Sequence, residues 1–353
     1  MTLIDPSRIC HARLWKYVMF RVAIISASLL PAAPAPAPAQ EAPPFEVIRA
    51  LDAEMAGIGY RLATANASLC DRQEPGLGLL LHTPDQYARD IRETAIRHFH
   101  FDGPVGVEAV ISKSPAAAAD IREDDTVIGV GQTRFRPTDP QANSNTASLI
   151  VATHQIMALP PNGPITLHIR RSGVDQIRRV IPVPACRSRF EVAFGNSFLA
   201  QADGELVQIS SRFLTDYPQW APVPIAHELA HNILRHRERL EAKGVSYGLL
   251  SGIGRNVRFF RQTELEADIL SISLLTNAGY DPKIALLFWQ AFGPAHAGSL
   301  FRSRTHPSWK TRTGIMARTI AEMGPERSLH PDIIAARDRP IDGKWQDLLK
   351  REH

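Results

Sequence analysis

The chain is predicted to be an α+β protein, a mainly helical body with a small sheet plus an inserted β-rich domain, on three observations. Apolar residues recur at helical spacing from Phe45 onward, and again in two stretches beyond Pro222. Between these helical parts, residues 75–184 read as short strands and turns with two helices of their own. Cys70 and Cys186 flank that interruption.

Taken in order, Phe45 to Met55 opens a helix that continues toward Ile58, Leu62 and Ala65. Gly106 to Val110 reads as a strand, Ser114 to Ile121 as a short helix, and Asp125 to Gly131 as a strand ending in a turn. A helix from Asn145 to Leu159 follows, then the alternating strand Ile165 to Arg170. Pro222 and Pro224 suit a helix entrance, and Ile225, Leu229, Ile233 and Leu240 follow at roughly helical spacing. A second long stretch opens at Glu264 and runs through Ile269, Leu270, Ile272, Leu274 and Leu275. It stops at Asn277-Ala278-Gly279, with Asp281-Pro282 beyond.

His227-Glu228-Leu229-Ala230-His231 is the most informative run. Residues four apart share one helix face, so both imidazoles can reach one metal ion while Glu228 sits beside them as a general base. Catalytic zinc sites commonly use three protein ligands and leave one position to water. Glu264 is the expected third ligand of a single zinc ion. Asp268, one turn further on, is placed to orient a histidine from behind. The bland alternative makes Glu264 and Asp268 solvated acids at a helix start, favoured by its dipole.

The pair H-E-x-x-H and E-x-x-A-D resembles the HtpX and CAAX-prenyl-protease family of zinc metallopeptidases, within the gluzincins. Three further blocks match in the family's order. Asn196 to Val207 resembles a strand-and-loop segment, with Ser197 where the family has alanine. His236 stands where the family often carries another histidine. Thr305-His306-Pro307-Ser308 and Arg312 match a downstream H-P and arginine. The likeness covers roughly residues 190–323 and implies a zincin-type peptidase domain. It makes His306 and Arg312 the candidate partners of an oxyanion, and Asn196 and Gly204 candidate substrate-binding positions. The segment Gly204 to Ser210 would be an edge strand that holds an extended substrate. His236 is expected to stabilise its helix or meet solvent rather than bind metal.

The interrupting segment, with Ser114-Pro115-Ala116-Ala117-Ala118-Ala119 at its centre, resembles a PDZ domain of the type found in bacterial periplasmic proteases. Gly76-Leu77-Gly78-Leu79 matches the loop that cups a peptide carboxylate in that family, against the alternative of a plain turn. Asp120 and Asp124 replace glycines usual in such domains.

Composition narrows the class. The sequence pI is near 9.1 and the formal net charge is +4. Residues 1–39 hold Arg8, Arg13, Lys16 and Arg21 against Asp5 alone, so all but one unit of that charge is local to them. There is no basic-aromatic pattern of the kind nucleic acid binding uses, so no nucleic acid partner is expected. Arg21, the apolar run Val22 to Leu30 and Ala37-Pro38-Ala39 before Gln40 read as a cleaved export signal, with Met19 an alternative start. An uncleaved anchor that ties the protein to the inner membrane is the competing reading. Only Cys70 and Cys186 then remain of three cysteines, which suggests one disulfide; two buried thiols are the alternative. Such a bridge would pin the ends of the insertion together.

The expected organisation is a signal and Ala/Pro-rich segment at 1–39, an amino-terminal peptidase helix within 40–74, and a PDZ-like domain at 75–184. A zinc metallopeptidase domain at 185–325 and a tail at 326–353 complete it. The expected function is that of an exported, periplasmic zinc metalloendopeptidase acting on protein or peptide substrates. Glu228 would accept the proton of the attacking water and deliver it to the leaving nitrogen. The PDZ-like domain would recruit or regulate substrate. The alternative is a non-catalytic peptide-binding or chaperone-like periplasmic protein.

Overall fold

Helix α1 (Phe45–Ala65) buries Met55, Leu62 and Ala63, the face that its apolar spacing predicted. The computed structural model describes residues 44–245, 256–296, 306–323 and 331–350. The export signal, Met19, Thr305 and parts of the predicted tail lie outside them. No helix among the described residues is long and apolar enough to cross a membrane.

Beyond α1 the chain forms β1 (Gln73–Gly76), β2 (Leu79–His82), α2 (Arg89–His98), β3 (Val105–Val110), α3 (Pro115–Ala118), β4 (Thr126–Val130) and β5 (Thr133–Arg134). Next come α4 (Ala147–Met157), β6 (Ile165–Arg171), β7 (Val174–Val180) and β8 (Val183–Cys186). Six of these strands make one antiparallel sheet in the order β2-β3-β4-β6-β7, with β5 on β4. The alternation in β6 sends Ile165, Leu167 and Ile169 inward. They pack with Val105, Val107, Val127, Val180 and Ile156 of α4 into a core of their own. Sequence spacing missed α2, whose turns face outward at Glu93 and Arg97, and β7, which carries exposed Val174 and Ile177 at the sheet edge.

β1 and β8 pair antiparallel, Gln73 opposite Cys186, so the chain enters and leaves the sheet module at adjacent points. Cys70 and Cys186 are joined there in a disulfide with Cα atoms 5.4 Å apart, 116 residues apart in sequence. Replacing both cysteines with alanine removes a loop closure worth up to about 4–5 kcal/mol on the chain-entropy account. The double variant is expected to unfold at clearly lower urea concentration. Equal midpoints for variant and oxidised wild type would show that the bridge constrains nothing.

The remaining body begins with β9 (Arg189–Ala193), β10 (Ala200–Ala202) and β11 (Leu206–Ser210). These form a sheet in the order β10-β11-β9, with β11 antiparallel to β10 and parallel to β9. β11 is therefore central and the edges are β10 and β9, so the Gly204 to Ser210 segment is not the edge strand expected from sequence. The turn between β10 and β11 needs Gly204 at φ +102°.

The helices follow: α5 (Ser211–Asp216), α6 (Pro222–Ile233), α7 (His236–Ala242), α8 (Val257–Asn277), α9 (Ile284–His296), α10 (Trp309–Glu322) and α11 (Trp345–Leu349). Pro222 starts α6, where its missing N–H is not needed. That helix does not run on to Leu240: Arg235 turns left-handed at φ 51° and starts α7 in a new direction. α8 starts at Val257 rather than at Glu264, so Glu264 and Asp268 are mid-helix residues and the dipole explanation for them falls. Nearly every side chain from Thr263 to Thr276 is buried, which marks α8 as the central helix. It packs on α6, α10 and α1. The described residues 331–350 of the predicted tail are packed: Ile333 and Ile341 are buried, and α11 packs on α8.

Candidate metal centre

Two buried helices in contact, α6 and α8, bring the predicted residues together. His227 and His231 lie one turn apart on α6, and their Nε2 atoms approach to 3.1 Å. Glu264 faces them from α8, with Oε2 3.3 Å from His227 Nε2 and Oε1 3.5 Å from His231 Nε2. One ligand atom from each of the three lies within 4.8 Å of the others.

Asp268, one turn after Glu264, has Oδ1 3.1 Å from His227 Nδ1. Arg312 donates from Nε and Nη2 to its two oxygens, at 2.8 and 2.6 Å. Ser308 caps α10 by accepting from Thr311 N, which sets Arg312 one turn into the helix. The guanidinium also stacks 4.2 Å over the Trp289 ring. Nη2 also lies 3.1 Å from the His227 ring nitrogens and Nη1 3.7 Å from Glu264 Oε2, with 4% of Arg312 exposed. His306 is different: it stands partly exposed with Nε2 3.6 Å from Glu264 Oε1.

A cavity of about 40 Å³ opens on this centre. Glu228, His306 and Arg312 line it, together with Phe213, Phe288 and Phe292. Ala200 of the edge strand also lines it, whereas Asn196 and Gly204 do not. Asn196 instead offers its carbonyl to Arg212. Gly204 N donates to Asn232 Oδ1 at 2.8 Å, so its role is to fasten the β10-β11 turn to α6.

The centre is rich in acids and its protonation states are strongly coupled. Three carboxyls (Glu228, Glu264 and Asp268) share a buried space with one guanidinium. Burial raises the Glu228 carboxyl to about 7, reinforced by the Glu264 charge and opposed by His227. Burial and Arg312 oppose a proton on His227, but Asp268 and Glu264 outweigh them and lift it to about 9. Burial holds His231 well below its ordinary value. Glu264 Oε2 is buried with ion-pair contacts to His227 and Arg312 but no aligned hydrogen bond among the described residues, a cost that a bound metal ion would relieve. Two imidazoles and a carboxylate are a donor set that fits zinc.

Sequence reasoning missed what stands behind His231. His236 is buried, not solvent-facing, with Nδ1 2.8 Å from His231 Nδ1. Its Nε2 lies 3.0 Å from Glu266 Oε2. Arg239 and Gln262 donate to the same carboxylate at 2.7 and 2.8 Å. Burial lowers the His236 pKa, against the pull of Glu266. The available signal was Glu266 itself, an acid between Leu265 and Ala267 in an apolar helix, which needs partners if buried. No local pattern marked Asn232.

The chain is similar over part of its length to metal-dependent endopeptidases. Over 112 residues, 27% of this chain, it is 30% identical to the mitochondrial metalloendopeptidase OMA1 of Arabidopsis thaliana, of which this covers 23%. Over 123 residues, 29% of this chain, it is 29% identical to the protein of the same name from Schizosaccharomyces pombe, of which this covers 35%. The matched stretch is thus about a quarter to a third of each relative's own length. No family model matches the chain. Among solved structures, the HtrA3 PDZ domain bound to a phage-derived ligand (FGRWV) aligns with 32% of this chain and 88% of that one. The identity is 16% and the TM-score 0.23.

Proposed function

We propose that the chain is a zinc-dependent endopeptidase whose ion is held by His227, His231 and Glu264. The observation that carries this reading is the convergence of those three side chains beside Glu228 in a buried, acid-rich centre. Zinc, when bound, supplies Lewis-acid chemistry, acidifying water and polarising a carbonyl. Glu228 takes the proton of the attacking water on its carboxylate and returns it to the leaving nitrogen. His306 donates to the developing oxyanion. Arg312 holds Asp268 against His227, and so positions a ligand rather than touching substrate. Asn232 fixes the β10-β11 turn, and an extended substrate lies along the edge strand β10.

The partial likeness to metalloendopeptidases supports the reaction class, and the HtpX/CAAX-type assignment is its finer form. The PDZ-like reading of residues 75–184 is supported by the separate core of that sheet and by the pairing of β1 with β8. A second cavity, of about 200 Å³, lies between Gly76 to Leu81 and α4; it is where a recruited peptide would add to the free edge of β2. The disulfide supports export to an oxidising compartment, with periplasmic release or an uncleaved anchor as its two forms.

Casein cleavage by the purified protein should stop in chelator and return with added zinc. Glu264→Ala should lower zinc occupancy, because one of the three ligands is gone. Elemental analysis that finds full zinc in this variant would assign the third ligand elsewhere. Zinc-loaded wild type without proteolysis on any peptide library would remove the peptidase reading itself.

A further inference from the structure

His231 ends a buried hydrogen-bonded line that runs through His236 to Glu266. The distances are 2.8 Å between the two Nδ1 atoms and 3.0 Å from His236 Nε2 to Glu266 Oε2. His236 and Glu266 are each 2% exposed, so water does not compete for these bonds. The direction of every proton in this line follows from its far end.

Glu266 receives Arg239 at 2.7 and 3.4 Å and Gln262 at 2.8 Å. A carboxylate held by these donors is an acceptor only. His236 must therefore carry a proton on Nε2 to bond Glu266. Arg239 already balances the Glu266 charge, so a second buried cation at His236 has no counterion. His236 is then the neutral tautomer with Nδ1 bare, an acceptor. Facing that acceptor, His231 must carry its proton on Nδ1. Its Nε2 is left bare, and Nε2 is the atom turned toward His227 Nε2 and Glu264 Oε1.

We infer that His236 and Glu266 are positioning residues that preset the His231 tautomer, so that its Nε2 lone pair is ready for a metal before one arrives. This rests on the reading of His231 as a ligand. Arg235 makes the arrangement reachable: its left-handed backbone turns the chain so that His236 comes back under α6. The other histidine is oriented differently, by the Asp268 carboxylate directly. The two ligands thus have unlike supports, a carboxylate for His227 and a neutral imidazole for His231.

His236→Phe keeps the ring volume and removes the acceptor, which leaves the His231 Nδ1–H without a partner and its tautomer free. Zinc affinity, from competition with a chromogenic chelator, should fall 10- to 100-fold, the usual effect of losing such a partner. His236→Gln restores an amide oxygen that can accept from His231 Nδ1 and should recover part of the loss. The Co²⁺-substituted protein should show an altered d–d spectrum in His236→Phe and one closer to wild type in His236→Gln. Nitrogen-15 shifts of the zinc-free wild type should place the His231 proton on Nδ1 and the His236 proton on Nε2. Thermal unfolding in chelator confirms that each variant folds. A folded His236→Phe with wild-type zinc affinity, or a His231 proton on Nε2, would overturn the inference while leaving the peptidase reading intact. Correct tautomers and the 10- to 100-fold loss in a protein that cleaves nothing would leave the inference standing and remove the peptidase reading.

Discussion

Glu228→Gln is expected to bind zinc as wild type does and to lose proteolysis by roughly two or more orders of magnitude, the range that general-base assistance spans. The carboxyl is 8% exposed and lines the cavity at the three ligands. Burial pushes its pKa up, which makes the carboxylate a stronger proton acceptor than a solvated glutamate. Glutamine matches its shape but takes no proton, and Glu228 is outside the ligand set, so occupancy should hold. Casein turnover per zinc is the measurement. A variant within a few-fold of wild type would show that another group moves the proton.

Arg312→Ala is expected to lower the stability of the zinc-free protein by about 3–5 kcal/mol, the effect of leaving one partner of a buried ion pair alone. Asp268 is 0% exposed and receives two hydrogen bonds from this guanidinium. Without it the buried carboxylate keeps only the His227 imidazole, 3.1 Å away, as a partner and loses both guanidinium hydrogen bonds. Arg312→Lys should recover only part of the loss, because an ammonium cannot make the paired contact of the guanidinium fork. Urea unfolding in chelator reads both. An unshifted midpoint for the alanine variant would mean that Asp268 finds another partner and that Arg312 is not what positions it.

The chemistry of the candidate centre was legible in the sequence because it depends on helical period. His227 and His231, and Glu264 and Asp268, are spaced by four, and that spacing fixes a shared face whatever surrounds it. The helices at 45–65 and 147–157 and the strand at 165–171 were equally readable, since each carries an apolar stripe of its own period. Burial decided the errors. Arg312 read as a cation free to meet an oxyanion until its depth beside Asp268 was known. His236 read as a residue that stabilises its helix or meets solvent, and only the left-handed turn at Arg235 brings it back against His231.

By itself, then, the sequence determined which residue types can hold a metal and move a proton, because local periodicity places His227 and His231 one turn apart and Glu264 and Asp268 one turn apart. The tertiary structure alone decided their partners. Which acid stands behind which histidine, that β10 rather than β11 is an edge, and that residues 332–349 pack back onto α8 all depend on contacts between segments distant in sequence. Residue spacing carries no record of such contacts, because they are set by how helices and strands bury one another's apolar faces.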